Sequence, residues 1–487
     1  MNKISPYAMA LAFLSGAVYG QVPSGNGTSD PDSNTGVGSF ALHGPAATAA
    51  GTSNTGVGTG ALQQNGANAN TAVGAFAMGN NVSGSNNAAF GYGALRANQT
   101  GSNNTATGST ALYWNDFAST GASGNTADGA SALTNNLSGS NNTAVGFQAL
   151  LGVGTQQSGG LSSGSNNTAV GANALSSYST ANYNTASGAQ ALHGNVTANN
   201  NTAVGYQALY TNDSDGAGDS IDNTATGYQA LFTNSTGAAN TATGDLALYA
   251  NSTGGYNTAG GFQALYLNAT GSYNTAYGPS ALFNSNGSNN IALGYEAGFN
   301  LKTGSNNIEI GNKGAAGDNK LIKIGTEGTQ AKTFIAGIYS NTTVSGLAVV
   351  IGSNGELGAV SSSERFKTDV EPMAENTARL RQLRPVTFHY KADSQGALRY
   401  GLIAEEVAKV YPELVVRDDQ GRIDGVRYDE LAPILLQVVQ QQHLALEAEN
   451  LEIASMKKQF AELVESNKAM LAALEALIAK GTQVAAQ

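Results

Sequence analysis

The chain has 487 residues, no cysteine, 63 glycines and only 11% charged residues. The absence of cysteine excludes a disulfide framework and a thiolate metal site, and the 9 prolines are too few for collagen. Apolar residues make up 41% of the chain and the formal net charge is −11, which argues against wholesale disorder. This composition is typical of a repetitive protein, and we expect neither a metal nor a cofactor.

The first twenty residues have the pattern of an export signal. Lys3 precedes an apolar stretch over residues 7–18, and the small residues Val18 and Gly20 suit cleavage before Gln21. We therefore expect residues 1–20 to be a signal peptide, residues 21–33 a linker, and the mature protein to be secreted or at the cell surface. The alternative is an N-terminal helix of the mature protein. We expect no membrane span, because the stretch is short for one and no other stretch is apolar enough.

Residues 34–320 repeat one motif, N-T-A-x-G-x-x-A-L. Nine of the fifteen steps between successive copies are 17 residues, and the longer steps add residues after the Ala-Leu pair. Insertions at one point of a constant unit indicate loops on one face of a solenoid. The sixteen copies begin at Asn34, Asn54, Asn70, Asn87, Asn104, Asn125, Asn142, Asn167, Asn184, Asn201, Asn223, Asn240, Asn257, Asn274, Asn290 and Asn307.

Such a unit suits one coil of a parallel β-roll, with two short strands and two turns. Thr, Val and Tyr favour strands, the recurring Gly suits a corner with positive φ, and the Asn residues suit turns and stacked side-chain ladders. Ala and Leu at fixed places are expected to line a narrow interior. With a rise of about 4.8 Å per coil, the shaft would be roughly 75 Å long.

The repeats resemble the heads of trimeric autotransporter adhesins, which are left-handed parallel β-rolls wound three chains together. The resemblance implies a trimeric shaft and an adhesive role toward a cell-surface glycan or host surface. This chain departs from that family because it ends in a polar helix rather than in membrane-embedded strands. A repetitive spacer that binds no ligand is the alternative.

Two insertions carry distinctive side chains. Tyr113, Trp114 and Phe117 form an aromatic group that suits either sugar stacking or, more simply, local packing. In the second insertion four acids suit either Ca²⁺ binding or a solvated turn. The four acids are Asp213, Asp215, Asp219 and Asp222.

Between residues 34 and 300 the only basic residue is Arg96, which excludes a nucleic-acid surface there.

Residues 321–361 read as a β-rich neck, in which residues 321–324, 333–338 and 346–351 have strand character. Ser353-Asn354-Gly355 lies between apolar runs and predicts a hairpin. After the neck the chain contains five short motifs that are not repeated. These motifs are SSSERFK (361–367), LRPVTFHY (383–390), GLIAEEV (401–407), YPELV (411–415) and VRYDEL (426–431).

The order of these motifs resembles the self-cleaving intramolecular chaperone domain at the C-terminus of phage endosialidases and of other tail spikes and fibres. The resemblance covers residues 362–487 and implies a small α/β domain at residues 362–430 that assembles a homotrimer. It also implies a Ser–Lys dyad, a serine endopeptidase that acts once on its own chain. Whether cleavage takes place at all is open, because the family pattern is Ser-Asp-x-Arg-x-Lys and Ser363 replaces its Asp.

In that resemblance Ser362 is the nucleophile, Lys367 the general base and Arg365 the matching arginine, so the scissile bond joins Ser361 to Ser362. A serine hydroxyl needs a base to remove its proton, and a lysine serves only when burial lowers its pKa. Three consecutive serines, Ser361 to Ser363, leave the nucleophile ambiguous, and the spacing from Lys367 favours Ser362.

Residues 431–487 predict a coiled-coil helix with six heptads. The apolar positions follow steps of three and four from Leu436 to Ile478. Four polar residues lie in the seam, where they would fix register and strand number at some loss of stability. The heptads do not fix the number of strands; the trimer is implied by both resemblances. The polar seam residues are His443, Asn450, Lys457 and Asn467.

Together these features predict a mainly β fold, a parallel β-roll shaft followed by the α/β domain and the helix. The leading hypothesis is an exported homotrimeric fibre whose C-terminal domain drives assembly and cuts the chain at Ser361–Ser362. The alternatives are an uncleaved trimeric spacer and a phage-type tail fibre that binds surface carbohydrate. A depolymerase is disfavoured, because the repeats lack paired carboxylates at a suitable spacing.

Overall fold

A computed structural model of the protein describes residues 32–43, 51–153, 162–335, 349–352, 355–359, 361–373, 375–391, 396–418 and 420–485. The chain divides into two units, residues 1–334 and 335–487. The predicted signal peptide, residues 1–20, lies outside the described residues, as does nearly all of the predicted linker.

The first unit is a parallel β-solenoid, which confirms the predicted fold class. Each three-residue strand pairs in parallel and in register with the next along the chain, as Thr71–Val73 does with Ala88–Phe90. In chain order the strands are β1 (Thr35–Val37), β2 (Thr55–Val57), β3 (Thr71–Val73), β4 (Ala88–Phe90), β5 (Thr105–Thr107), β6 (Thr126–Asp128), β7 (Thr143–Val145), β8 (Thr168–Val170), β9 (Thr185–Ser187), β10 (Thr202–Val204), β11 (Thr224–Thr226), β12 (Thr241–Thr243), β13 (Thr258–Gly260), β14 (Thr275–Tyr277), β15 (Ile291–Leu293), β16 (Ile308–Ile310) and β17 (Ile322–Ile324).

Among the described residues each coil contains one strand rather than the two that the sequence predicts, and this part of the prediction is wrong. The Ala-Leu segment lies in turns, because its leucine adopts a left-handed conformation, as in Leu95 with φ of 53°. Its amide still bonds along the stack, and Leu95 N donates to Ala111 O at 3.0 Å. Stacking between coils therefore holds a backbone conformation that leucine rarely adopts.

Alanine and leucine line the interior, as predicted. In the coil of β4, Ala89, Ala94 and Leu95 each have no exposed surface, and the same positions are buried in coil after coil. The middle residue of a strand points inward and its two neighbours point outward, which is the alternation expected of a pleated strand.

The glycine after each strand from β1 to β14 is required by both conformation and space. Gly74 has φ of 137°, and a Cβ atom built on it would lie 2.4 Å from Gly91 O in the next coil. Only a residue without a side chain fits such a close approach of two backbones. The predicted corner glycine therefore also sets how closely successive coils stack.

Buried asparagines form the first ladder, made of the residues that begin each motif. The backbone amide of Asn87 donates to Oδ1 of Asn70 at 3.0 Å, and the amide of Asn104 donates to Oδ1 of Asn87 at 2.9 Å. The Asn87 side chain also donates from Nδ2 to Gly101 O at 2.9 Å. The ladder confirms the prediction of stacked asparagines and satisfies polar groups that have no access to water.

A second ladder runs through a different position of the coil. Its side-chain amides bond directly to one another, as when Asn98 Nδ2 donates to Asn81 Oδ1 at 3.0 Å. This ladder was not predicted, although its residues recur eleven positions after the motif asparagines. The second-ladder residues are Asn65, Asn81, Asn98, Asn115, Asn136, Asn195, Asn212, Asn234, Asn251 and Asn268.

The strand predicted at the start of the neck belongs to the shaft. Ile322–Ile324 (β17) pairs in parallel with β16, and Ile308 N donates to Leu321 O at 2.9 Å. The backbone therefore forms one more coil of the shaft after the sequence motif has ended. In the rest of the neck, Thr333–Ile335 is not a strand, and residues 336–338 lie outside the described residues.

The second unit contains the predicted hairpin, in which β18 (Val349–Ile351) pairs antiparallel with β19 (Leu357–Ala359), and residues 353–354 of its turn lie outside the described residues. Two further antiparallel pairs flank α1 (Ala404–Val410), and a helix of 58 residues, α2 (Tyr428–Ala485), ends the unit. The small core contains Val407, Tyr411, Leu414, Val415 and Ile434. The two pairs are β20 (Val386–Phe388) with β21 (Arg399–Gly401), and β22 (Val415–Arg417) with β23 (Ile423–Val426).

Candidate self-processing site

The predicted processing site lies on a short 3-10 turn, Glu364–Phe366, that follows the three serines. Phe366 N donates to Ser363 O at 3.1 Å and Lys367 N donates to Glu364 O at 2.9 Å. Ser363 N lies 3.4 Å from Ser361 Oγ, its acceptor. The turn separates Lys367 from the serines by one helical revolution and leaves the Ser361–Ser362 peptide bond on its N-terminal side.

Ser362 and Lys367 are not brought together in the single chain. Both are exposed, and among the described residues no hydrogen bond joins them. Every described residue from Ser361 to Met373 is exposed, including Phe366 at 64% and Val370 at 70%. A lysine acts as a base only where burial removes water from its ammonium group, so the single chain alone does not form an active dyad.

Arg365, the predicted supporting residue, stacks on an aromatic ring. Its guanidinium carbon lies 4.7 Å from the centroid of the Phe366 ring, a cation–π geometry. Ser361 and Ser363 lie beside Ser362 and, like it, are exposed. The arrangement therefore presents a charged and an apolar side chain next to the predicted scissile bond.

The domain that follows is joined to the start of α2 by polar contacts that sequence reasoning missed. Leu402 N donates to the Tyr428 hydroxyl at 2.8 Å, and Thr377 Oγ1 donates to Gln441 Oε1 at 3.1 Å. Thr377 is only 6% exposed. The signal for Tyr428 was available, because it lies within the VRYDEL motif that begins at Val426.

Two arginines order the same domain. Arg384 makes a two-point contact with Glu406, from Nη2 to Oε1 at 2.6 Å and from Nε to Oε2 at 3.2 Å. The Arg384 guanidinium lowers the pKa of the Glu406 carboxyl below its usual value. Arg379 lies over the Tyr411 ring, 4.5 Å from its centroid, and donates to Val410 O at 2.9 Å. These contacts hold α1 against the segment that follows the serines.

The predicted seam residues all lie on the exposed surface of α2. His443 Nε2 is 3.2 Å from Glu447 Oε1 on the same helix, and Asn450, Lys457 and Asn467 are exposed. Apolar seam residues are exposed as well, with Leu436 at 58% and Phe460 at 67%, whereas Val464 is half-buried. An apolar stripe of this length on one helix is typical of a surface that another chain covers.

The aromatic insertion in the shaft is packed locally. Trp114 makes edge-to-face contacts with Tyr113 and Phe117, at centroid distances of 4.7 and 5.4 Å. Arg96 lies between the Phe76 and Tyr113 rings, at 5.3 and 5.5 Å from their centroids. These contacts favour the packing interpretation, and glycan binding by the inserted loops stays a prediction.

A stack of seven aromatic rings runs along the C-terminal half of the shaft. Adjacent rings are face to face at 5.0 to 5.4 Å, so each inner ring has both faces covered. Such rings stabilise the coils and do not offer a free face to a sugar. They belong to His193, Tyr210, Phe232, Tyr249, Tyr266, Phe283 and Phe299.

The acidic insertion is anchored by one buried carboxylate. Asp213 accepts hydrogen bonds from the amides of Thr197, Ala198 and Gly218, at 2.7, 2.9 and 2.6 Å. Asp116 plays the same part in the aromatic insertion, where it accepts from Thr100 N and Gly121 N, both at 2.6 Å. The Asp213 oxygens are thus used by the backbone, which favours the turn interpretation of this cluster.

Residues 362–416 match the family model described as Chaperone of endosialidase. This is the family that the motif order indicated, and the match begins at the predicted nucleophile, Ser362. No curated protein and no solved structure matches the chain. Within the described ranges, no helix combines the length and apolarity needed to cross a membrane.

Proposed function

We propose that the chain forms an exported homotrimeric fibre whose C-terminal domain drives assembly and then cleaves the Ser361–Ser362 bond. The observation that carries this proposal is the start of the family match at Ser362, the first residue after the predicted cut. The shaft would be residues 34–320 with the added coil of β17, and the released part residues 362–487. Secretion or surface display rests on the export pattern of residues 1–20.

Trimer assembly is supported by the exposed seam of α2. Three parallel helices would cover Leu436, Phe460 and the other apolar seam residues, and would bring the polar seam residues into layers that specify register. The shaft needs such a device, because a repeat with a constant period pairs almost equally well after a slip of one coil. Assembly that begins at the C-terminal helix fixes the register of all three chains before the shaft forms.

The proposed cleavage starts when Lys367, once other copies bury it, removes the proton from Ser362 Oγ. The oxygen attacks the Ser361 carbonyl carbon, the C–N bond breaks, and Lys367 returns the proton to the departing amine. Water then hydrolyses the ester between Ser361 and Ser362, which leaves a carboxylate on Ser361 and free Ser362. The reaction depends on assembly because the single chain leaves both dyad residues in water.

The test is expression of the chain from Gln21 and mass analysis of the product. We expect a fragment that begins at Ser362, and we expect Ser362→Ala and Lys367→Ala each to abolish it. Ser361→Ala and Ser363→Ala are the matched controls and should still be cut. An uncut wild-type chain that sediments as a trimer would support the uncleaved spacer and overturn the cleavage step. A monomeric Ser362→Ala protein would overturn the assembly model itself.

A further inference from the structure

Glu309 is the one strand residue that places a charge-bearing group inside the described part of the solenoid. It is the middle residue of β16, and it has no exposed surface. The middle residue of each strand from β3 to β15 is alanine instead, and in β1 and β2 it is glycine. The motif N-T-A-x is here N-I-E-I, so the exception is visible in the sequence at Asn307 to Ile310.

Neither carboxyl oxygen of Glu309 has a hydrogen-bond partner among the described residues. Its surroundings are tight, since a Cβ atom added to Gly314 would lie 3.3 Å from both Oε1 of Glu309 and Cγ of Leu301. An ionised carboxylate without donors in such a place is strongly destabilising, whereas the protonated acid is tolerated. The closed structure therefore favours the neutral form of this side chain.

Two charged residues face Glu309 from the elements packed on it. Lys323 lies opposite it in the register of β16 with β17, and Asp318 lies in the turn between those strands. The Lys323 ammonium already contacts Asp318 Oδ2, which also accepts from Ala315 N at 2.7 Å. Burial, which outweighs the attraction of Lys323, raises the pKa of Glu309 to about 7.

The cover over Glu309 is the last coil of the shaft. It is held to β16 by the β17 pairing and by the bond from Gly325 N to Ile310 O at 2.8 Å. In the described part of the chain no further strand pairs with the outer edge of β17. An end coil has one stacking interface where an inner coil has two, so its opening disturbs the fewest contacts.

We propose that Glu309 makes this last coil, residues 311–325, a pH-dependent latch that opens when the carboxyl group ionises. The proposal concerns the shaft alone and does not rest on the function proposed for the C-terminal domain. The direction follows from proton binding. The closed coil binds this proton more tightly than the open coil, whose carboxyl has an ordinary pKa, so opening becomes easier as the pH rises from about 4.5 to 7.

Hydrogen exchange followed by mass spectrometry tests the latch in the full-length Ser362→Ala chain. Exchange rates are divided by the intrinsic rates at each pH, which leaves the opening equilibrium of each segment. Between pH 5 and pH 7.5 we expect protection of residues 308–325 to fall about 50-fold. Protection of the coils at β3 and β4, which contain no aspartate, glutamate or histidine, serves as the internal control and should change little.

Two variants separate the latch from other effects. Glu309→Gln keeps the size of the side chain without its charge, and Glu309→Ala restores the residue of the preceding coils; each should remove the pH dependence. Glu296→Gln, which alters a partly exposed acid paired with Lys313, is the matched control and should keep it. Equal protection at both pH values in the parent chain, or the same dependence in Glu309→Gln, would overturn the proposal.

Discussion

The hydroxyl of Tyr178 donates a hydrogen bond to Oδ1 of Asn136, which lies 3.3 Å away and 42 residues earlier in the chain. Both residues are fully buried. Tyr178 occupies the second-ladder position of its coil, and its ring spans the coil with the longest insertion. There Ser162 lies beside Asn136 and donates from Oγ to Tyr178 O at 2.7 Å. One side chain thus continues the ladder across a coil that lacks its asparagine.

Tyr178→Phe should lower the free energy of unfolding of the shaft by about 1–2 kcal/mol. The variant keeps the ring but leaves Asn136 Oδ1 buried without its donor, and that desolvation accounts for the loss. Urea unfolding followed by circular dichroism measures it. Tyr183→Phe, at a site 64% exposed, should change the value by less than about 0.5 kcal/mol. An equal loss in both variants would contradict the role of the bond.

Gly74→Ala should destabilise the shaft by about 3 kcal/mol or more, because strain at positive φ adds to overlap with the next coil. The added methyl group would lie 2.4 Å from Gly91 O, so the backbone has to move. Gly317→Ala is the matched control, since a Cβ atom there meets nothing within 4 Å. Thermal unfolding of the two variants compares them directly. Similar melting temperatures would show that the glycines after the strands do not set the distance between stacked coils.

The insertion that contains Asp116 should loosen in acid. Burial by itself would raise the pKa of Asp116, but hydrogen bonds from Thr100, Thr120 and Gly121 together lower it. A carboxyl group whose pKa is lower in the folded state contributes stability above its unfolded value of about 3.9, and that stability is lost as the pH falls through the folded value. Hydrogen exchange of residues 116–123 between pH 6 and pH 3 measures the effect.

Asp116→Asn should remove this acid dependence. It should also lower the free energy of unfolding at neutral pH by about 1–3 kcal/mol, because an amide nitrogen replaces one of the two acceptor oxygens and cannot accept the bond from either Thr100 or Gly121 that this oxygen received. Asp128→Asn, at an exposed position of β6, should leave both properties unchanged. Acid loosening that persists in Asp116→Asn would assign the effect to another group.

Lys457→Ile should stabilise the proposed helical bundle by about 1–4 kcal/mol, since a lysine that the bundle buries in its seam gives up hydration that isoleucine does not need. Lys458→Ile alters the neighbouring residue outside the predicted seam and should have little effect. Thermal unfolding of the proposed trimer in the Ser362→Ala chain measures both, and sedimentation shows whether the strand number is kept. If Lys458→Ile stabilises the bundle as much as Lys457→Ile, the assignment of the seam is wrong.

The repeat was the part of the fold most open to prediction, because the same inward and outward alternation recurs in every coil. The number of strands per coil was not, since leucines such as Leu95 take a left-handed conformation that only stacking between coils imposes. The end of the shaft was also misplaced, because β17 keeps the backbone repeat after its side-chain pattern has gone.

The residues of the proposed processing site could be named from the sequence, whereas their geometry could not. The order of motifs around Ser362 and Lys367 identified the family that the match confirms. In the proposed mechanism their approach to each other depends on burial that one chain does not provide, and no local pattern encodes it. The contacts of Tyr428 and Thr377 were not predicted, because their partners lie 26 and 64 residues away in the chain.

The direction of the backbone hydrogen bonds in the shaft has a mechanical consequence. They join each coil to the next, as in the bond from Thr71 N to Asn87 O at 2.9 Å, and therefore run along the direction of stacking. Tension between the two ends of the shaft loads all the hydrogen bonds between two adjacent coils at the same time. The successive coil–coil interfaces carry the same force one after another, in series. The force at which the shaft parts is accordingly set by its weakest interface, and adding coils increases its reach without increasing its strength.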